Sequence, residues 1–270
     1  MIETIAYLGL CDEGDIQLDL AALDLARLDR PQARTADYAE RLDEMAADLQ
    51  RRAGDAPRPE RQVEALVETL AGRFGFEGDH EDYDNPNNAD LMSVIDRRRG
   101  LPISLAILYV AQARRRGWTA QALNTPGHVL VAVGAGRPLI IDPFNRGAPV
   151  GPDRLRALVE AAAGPGAAVT AEHVAPMPNR AVLVRLLTNQ AVRAEAGGQP
   201  DRALSIFQRI STLAPGYSQG WWDRARLELR LGDQPAARAC LSAMLETTRD
   251  PALRAHINQA LETLASGPRA

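Results

Sequence analysis

Hydrophobic positions follow the helical period through the first part of this chain. Leu20, Leu23, Leu25 and Leu28 open an amphipathic pattern, and Tyr38, Leu42, Met45 and Leu49 continue it. Gly54-Asp55-Ala56-Pro57-Arg58-Pro59 interrupts the pattern and predicts a loop. Val63, Leu66, Val67 and Leu70 then mark a helix that ends between Gly72 and Gly75. Residues 78–88 lose the pattern altogether and predict a polar, solvated loop, in which four acidic residues gather with His80. A metal site is the rival reading there, but the glycine-centred spacing of an EF-hand is missing. Asn88 or Asp90 can cap the next helix, predicted over residues 91–99.

The helix predicted over residues 101–116 is the most apolar in the chain. Apolar residues occupy nearly all its faces as far as Arg114, which predicts a buried central helix. Pro102 suits its first turn, where a missing N–H costs nothing. Past Gly117 the period changes. Val129 to Val133 and Leu139 to Ile141 are short β-rich runs, and the glycine-rich segment between them predicts a hairpin. From Asn179 the chain is helical again and repeats itself. Gly198 and Gly232 stand 34 positions apart, as do Ala203 and Ala237, Leu187 and Trp221, and Phe207 and Leu241. With Pro215 closing the first unit, this period resembles tetratricopeptide repeats, and a helix over residues 251–264 can cap the stack. Trp221 and Trp222 are expected to help the repeats pack against the core.

The expected fold is α+β: a helical N-terminal part, a small antiparallel sheet against a buried central helix, then an all-α tail. The expected domains are residues 1–178 and 179–270.

Composition narrows the function. Hydrophobic residues make up 46% of the 270, enough for a core and against global disorder. Every basic residue is an arginine, and the net charge of −4 argues against a nucleic-acid partner. Cys11 and Cys240 are too far apart in sequence to suggest a disulfide framework or a metal motif. The N-terminus carries Glu3, no basic residue and only a short apolar run, so it does not read as a signal peptide; the large Leu10 before Cys11 is wrong for a lipoprotein site. No run approaches the ~20 apolar residues of a membrane helix. A cytoplasmic protein without a membrane partner, metal or cofactor is expected.

The candidate chemistry lies between residues 100 and 145. Transglutaminase-like enzymes carry Gly-x-Cys-x-x-x-Ala and an apolar helix ending in Arg-x-x-Gly. This chain resembles them at Gly100, Ala106, Arg114 and Gly117, with Pro102 where the cysteine belongs. In such enzymes a thiolate at a helix N-terminus is stabilised by unpaired N–H groups and the helix dipole. A histidine takes its proton and an aspartate orients the histidine. The resemblance places His128, after Pro126-Gly127, at the start of a strand, and Asp142, in Ile141-Asp142-Pro143-Phe144-Asn145, at the end of the next. Pro102, Gly127 and Asn145 would line the pocket. Ser104 is the nearest hydroxyl, but it stands about 200° around the helix from Pro102 at roughly 100° per residue. A serine so early in a helix also tends to bond the local backbone. Arg97-Arg98-Arg99 reads as a solvated helix end suited to the dipole, with an anion-binding patch as its rival.

Residues 90–109, Pro126 to Val131 and Leu139 to Gly147 together resemble the SirB-like family of bacterial proteins. The likeness runs from about residue 20 to 265 and is densest over 83–147. It implies a transglutaminase-like core joined to tetratricopeptide repeats, with proline habitual at the nucleophile position. The expected function is non-catalytic: interaction or regulation, with a protein or peptide partner in the repeat groove and His128 and Asp142 as a vestigial dyad. One alternative is a hydrolase or acyltransferase using Ser104 or a water activated by His128. Another is a sensor that binds a small ligand in the His128 pocket.

Overall fold

The computed structural model describes residues 2–266, which form two compact units. One comprises residues 12–186. The other combines residues 2–11, including helix α1 (Ile2–Leu10), with the described residues from 187 onward. No helix among the described residues is long and apolar enough to cross a membrane.

In the first unit, α2 (Leu18–Arg27), α3 (Thr35–Ala53) and α4 (Pro59–Val67) bury the stripes read from the sequence, including Leu23, Leu25, Leu42, Met45, Leu49 and Leu66. The helical path continues from α4 into a π-helical turn, Glu68–Arg73, closed by the Phe74 N–H on the Thr69 carbonyl at 3.0 Å. Strand β1 (Glu77–Gly78) follows. Asp90 caps α5 (Leu91–Arg97), its carboxylate accepting from the Ser93 N–H at 2.7 Å. This helix is two residues shorter than predicted. Arg98 takes the left-handed conformation at φ 60°, and Arg99–Gly100 forms β2, parallel to β1.

Helix α6 (Pro102–Arg115) is buried on all sides from Pro102 to Ala113. Helices α2, α3 and α4 pack around it, and β3 (Ala120–Leu123) and β4 (Leu130–Val133) lie against it. Each of its buried Leu, Ile and Val side chains contributes roughly 1.5–3 kcal/mol by leaving water. The sheet continues antiparallel through β5 (Leu139–Asp142) to β6 (Ala148–Pro149), with Val131 opposite Ile141. Side chains alternate across a strand. Leu130 and Ala132 therefore share one face, where they pack with Leu155 and Leu158 of α7 (Pro152–Ala163). The architecture is α+β, with a small antiparallel sheet and a buried central helix.

Helix α8 (Asn179–Ala196) carries the division between the units within its length. Its remainder joins α9 (Pro200–Leu213), α10 (Ser218–Arg230), α11 (Gln234–Thr247) and α12 (Pro251–Ser266) in the second unit. The repeat pattern has a physical basis here. Gly198 and Gly232 both turn the chain after a helix with positive φ, 71° and 87°. Ala203 and Ala237 are both fully buried, leaving room for close packing. Helix α1 packs on α9, and a Cβ on Gly9 would stand 2.8 Å from the Thr212 carbonyl oxygen. Both tryptophans are engaged inside this unit: Trp221 donates to the Pro215 carbonyl at 2.8 Å, and Trp222 stacks on His256.

Gly220 gives a test in which packing opposes propensity. Alanine ordinarily stabilises a helix interior by up to about 1 kcal/mol over glycine. Here an added Cβ would lie 2.7 Å from Cγ2 of the buried, β-branched Ile210. Gly220→Ala is expected to destabilise the helical unit by about 1–3 kcal/mol, the cost of overpacking. Urea unfolding monitored by tryptophan fluorescence measures the sign; a stabilised variant would mean that Ile210 yields.

Candidate functional site

The start of α6 is set by one carbonyl. The oxygen of Asn88 accepts the Leu101 N–H at 3.0 Å and the Ser104 hydroxyl at 2.7 Å. Leu101 is extended and Pro102 opens the helix, buried. Ser104 is fully buried, and its hydroxyl is occupied by the Asn88 carbonyl, sixteen residues away, rather than by a local backbone group.

His128 lies in the turn just before β4 rather than in the strand itself. Gly127 makes that turn at φ 65°. Arg185, on α8 within the same unit, pins it from below. Its guanidinium donates to the carbonyls of His128 at 2.8 Å and Thr125 at 3.2 Å, and to the Asn124 side chain at 2.9 Å. The last residue of β5 is Asp142. The register of β4 and β5 brings the two side chains together, with His128 Nε2 2.8 Å from Asp142 Oδ1. The same carboxylate accepts the N–H groups of Phe144 and Asn145, and Asn145 Nδ2 donates to its second oxygen at 2.6 Å. In neutral His128, donating Nε2–H to the carboxylate leaves the lone pair on Nδ1. Such a dyad can hold and pass a proton. The histidine keeps about a tenth of its side chain exposed, whereas Asp142 is buried.

Phe144 forms the centre of an aromatic group. The rings of His80, Tyr83 and His128 meet it edge-on, with centroids at 4.5, 5.8 and 5.9 Å. His80 and Tyr83 come from the segment predicted as a polar, solvated loop; both are exposed, as expected of such a loop, but the segment is also anchored. Asp79 is buried and paired with Arg97 at 2.7 Å. Arg97 also donates to Asn88 Oδ1 at 2.7 Å, while Asn88 Nδ2 donates to the Asp82 and Tyr83 carbonyls. The backbone at Gly78 passes so close to Phe144 that a Cβ would lie 2.5 Å from the ring. The loop is therefore tied down at both ends, although most side chains between Asp79 and Asn88 stay exposed. Among the described residues, no three His, Cys, Asp or Glu side chains could together hold a metal ion.

The three consecutive arginines have separate surroundings. Arg97 secures the loop, Arg99 pairs with Glu77 at 2.6 Å, and Arg98 turns into a cleft on the same unit. Cys240 is buried in the repeat unit, where burial pushes its thiol up. Sequence reasoning missed Arg185 and Phe144 as parts of the site. Phe144 stood in the Asp-Pro-Phe-Asn motif and could have been singled out; Arg185 carries no local signal.

Burial alone would raise the Asp142 carboxyl, but hydrogen bonds from His128 and Asn145 together outweigh it and hold the group below the usual carboxylate range. A carboxyl depressed on folding stabilises fully above its unfolded value near 3.9, and loses that contribution as pH falls through the lower folded value. Asp142→Asn is therefore expected to lower stability at pH 7 by about 1.5–3 kcal/mol, the range for a charged hydrogen bond. The gap from the wild type should narrow below about pH 4. Thermal unfolding of both proteins from pH 7 to 3 tests this, and a constant gap would refute it.

Comparison with known proteins identifies the two parts of the chain. The sequence pattern of the transglutaminase-like superfamily matches residues 36–188, and that of the tetratricopeptide repeat matches 194–259. A UPF0162 protein of Xylella fastidiosa (strain 9a5c) is 34% identical over 189 residues, 68% of this chain and 67% of that protein. A UPF0162 protein of Pseudomonas aeruginosa is 29% identical over 245 residues, 91% of this chain and 90% of its own length. F-box only protein 21 of Mus musculus is similar over a shorter stretch, 35% identical over 69 residues, covering 26% of this chain and 11% of that protein. With the superfamily pattern spanning more than half of the sequence and UPF0162 proteins matching most of it, this chain belongs to the transglutaminase-like superfamily and, within it, to the bacterial UPF0162 proteins.

Proposed function

We propose that this protein is a non-catalytic transglutaminase-like protein of the bacterial cytoplasm that acts by protein–protein interaction through its tetratricopeptide-repeat unit. The observation that carries the reading is the start of α6. Pro102 stands where the resemblance to transglutaminase-like enzymes puts the thiol, and the nearest hydroxyl, on Ser104, is buried and bonded to the Asn88 carbonyl. His128 and Asp142 then persist as a vestigial dyad that joins β4 to β5, with Gly127 and Asn145 shaping the pocket around it. The wider likeness to SirB-like proteins fits the same reading. In the repeat unit, Val192, Tyr217, Leu229 and Leu231 each keep substantial apolar surface in water, open to a partner.

A second reading has one observation in its favour: the dyad is intact and oriented, so His128 could activate a water for acyl hydrolysis. Turnover of p-nitrophenyl esters by the purified protein separates the two. The non-catalytic reading expects no rate above that of His128→Ala and no labelling by a fluorophosphonate. Turnover abolished by His128→Ala would overturn it.

Restoring the thiol probes the scaffold directly. In Pro102→Cys, the helix N-terminus and His128 should favour the thiolate. Alkylation by iodoacetamide should then continue below pH 7 and fall about tenfold when His128→Ala is added. A thiol with the ordinary alkaline profile would count against the assignment of Pro102.

The interaction half of the reading has its own readout. Leu229→Glu with Leu231→Glu should release a partner that co-purifies with the wild type from its native host, while His128→Ala retains it. Loss of the partner in both variants, or in neither, would contradict a role for these two residues.

A further inference from the structure

A cleft of about 470 Å³ lies in the first unit, between α3, the π-helical turn and the end of α5. Its lining includes Arg41, Arg73 and Arg98, with Phe76 and Ile95 among its apolar residues. Its size is within the range of small-molecule sites.

Its charge is not balanced from within. Arg41 is neutralised by Asp96 at 2.6 Å, an oxygen pair to which Tyr38 also donates. Among the described residues Arg73 has as its acidic partner only the distant Asp48, at 3.6 Å, and that carboxylate already accepts hydrogen bonds from Arg51 and Arg52. Arg98 pairs with no acidic side chain among the described residues. Glu44 is the lining carboxylate left against them, and it is exposed. In a chain of net charge −4, this is a local excess of arginine around a concavity.

The backbone at the rim is unusual in two places. Arg73 ends the π-helical turn, an irregularity frequent at functional sites. Arg98 occupies the left-handed position after α5 that ordinarily favours glycine, at φ 60° and ψ 22°. Its N–H bonds the Val94 carbonyl at 2.7 Å, and its own carbonyl accepts the Glu77 N–H. Glycine would serve that geometry at lower cost. The arginine side chain is what glycine could not supply.

We infer that this cleft binds a small anion bearing phosphate or carboxylate groups, held between the guanidinium groups of Arg73 and Arg98. Guanidinium forks match the paired oxygens of both ligand types. The site is separate from the His128–Asp142 dyad, so its occupation does not depend on whether that dyad is catalytic.

Isothermal titration of the full-length protein at low salt with pyrophosphate, and separately with citrate, tests the inference. At least one of the two should bind with a stoichiometry near one per chain, and which one identifies the ligand chemistry. Arg98→Gly should weaken binding by tenfold or more while leaving the thermal unfolding midpoint equal or higher, because glycine accepts the same backbone conformation. Arg73→Gln should weaken binding similarly, and Arg154→Gln, on the exposed face of α7, should not. The inference fails if neither anion binds at millimolar concentration. It also fails if Arg98→Gly and Arg73→Gln bind as tightly as the wild type, since the anion would then be attracted non-specifically.

Discussion

The architecture of the site rests on the buried amide and carbonyl of Asn88. Its carbonyl oxygen receives the N–H of Leu101 and the hydroxyl of Ser104, fixing where α6 begins. Its side chain receives Arg97 and donates to the carbonyls of Asp82 and Tyr83, fixing the loop that carries His80 and Tyr83 toward Phe144. Asn88 has no exposed surface, so water is not available to replace a lost partner. In such a place an unmade hydrogen bond costs more than a made one gains. The helix start, the end of α5 and the aromatic group are thus coupled through one residue.

The dyad is arranged differently. His128, in the turn before β4, and Asp142, at the end of β5, come within hydrogen-bond reach through the register of the two antiparallel strands together with the turn that Arg185 holds. Asp142 is bonded so fully by Asn145, Phe144 and His128 that it serves as a structural node at the end of the sheet as well as an acceptor. A proton-handling pair can therefore persist for the stability it confers, whatever the neighbouring helix start carries. On the proposed non-catalytic reading, the fold alone maintains the geometry of the pair.

Much of the fold was legible in the sequence because its signals are local. Period and punctuation located α2, α3, α4, α6, the β4–β5 hairpin and the repeated helices, since a buried stripe, a glycine turn or a proline at a helix start acts within a few residues. Strand β3 was not legible: Ala-Gln-Ala-Leu has no β-branched residue, and its strand form comes from pairing with β4. The end of α5 was misjudged for the same kind of reason. Arg98 and Arg99 suit a helix well, but pairing of Arg99–Gly100 with Glu77–Gly78 draws the chain out of it.

The sequence by itself determined the helical stripes, the two turn glycines of the repeat, and the identities of Pro102, His128 and Asp142 in their motif. Only the tertiary structure decided that the polar segment from Asp79 to Asn88 is anchored, that Arg185 supports the turn at His128, and that Arg41, Arg73 and Arg98 line one cleft. The reason lies in the range of the interactions. Propensity and periodicity are written along the chain, whereas the partner of a buried charge such as Asp79 is eighteen residues away and that of the His128 carbonyl fifty-seven. Only packing can choose among the many arginines that satisfy the same local rules.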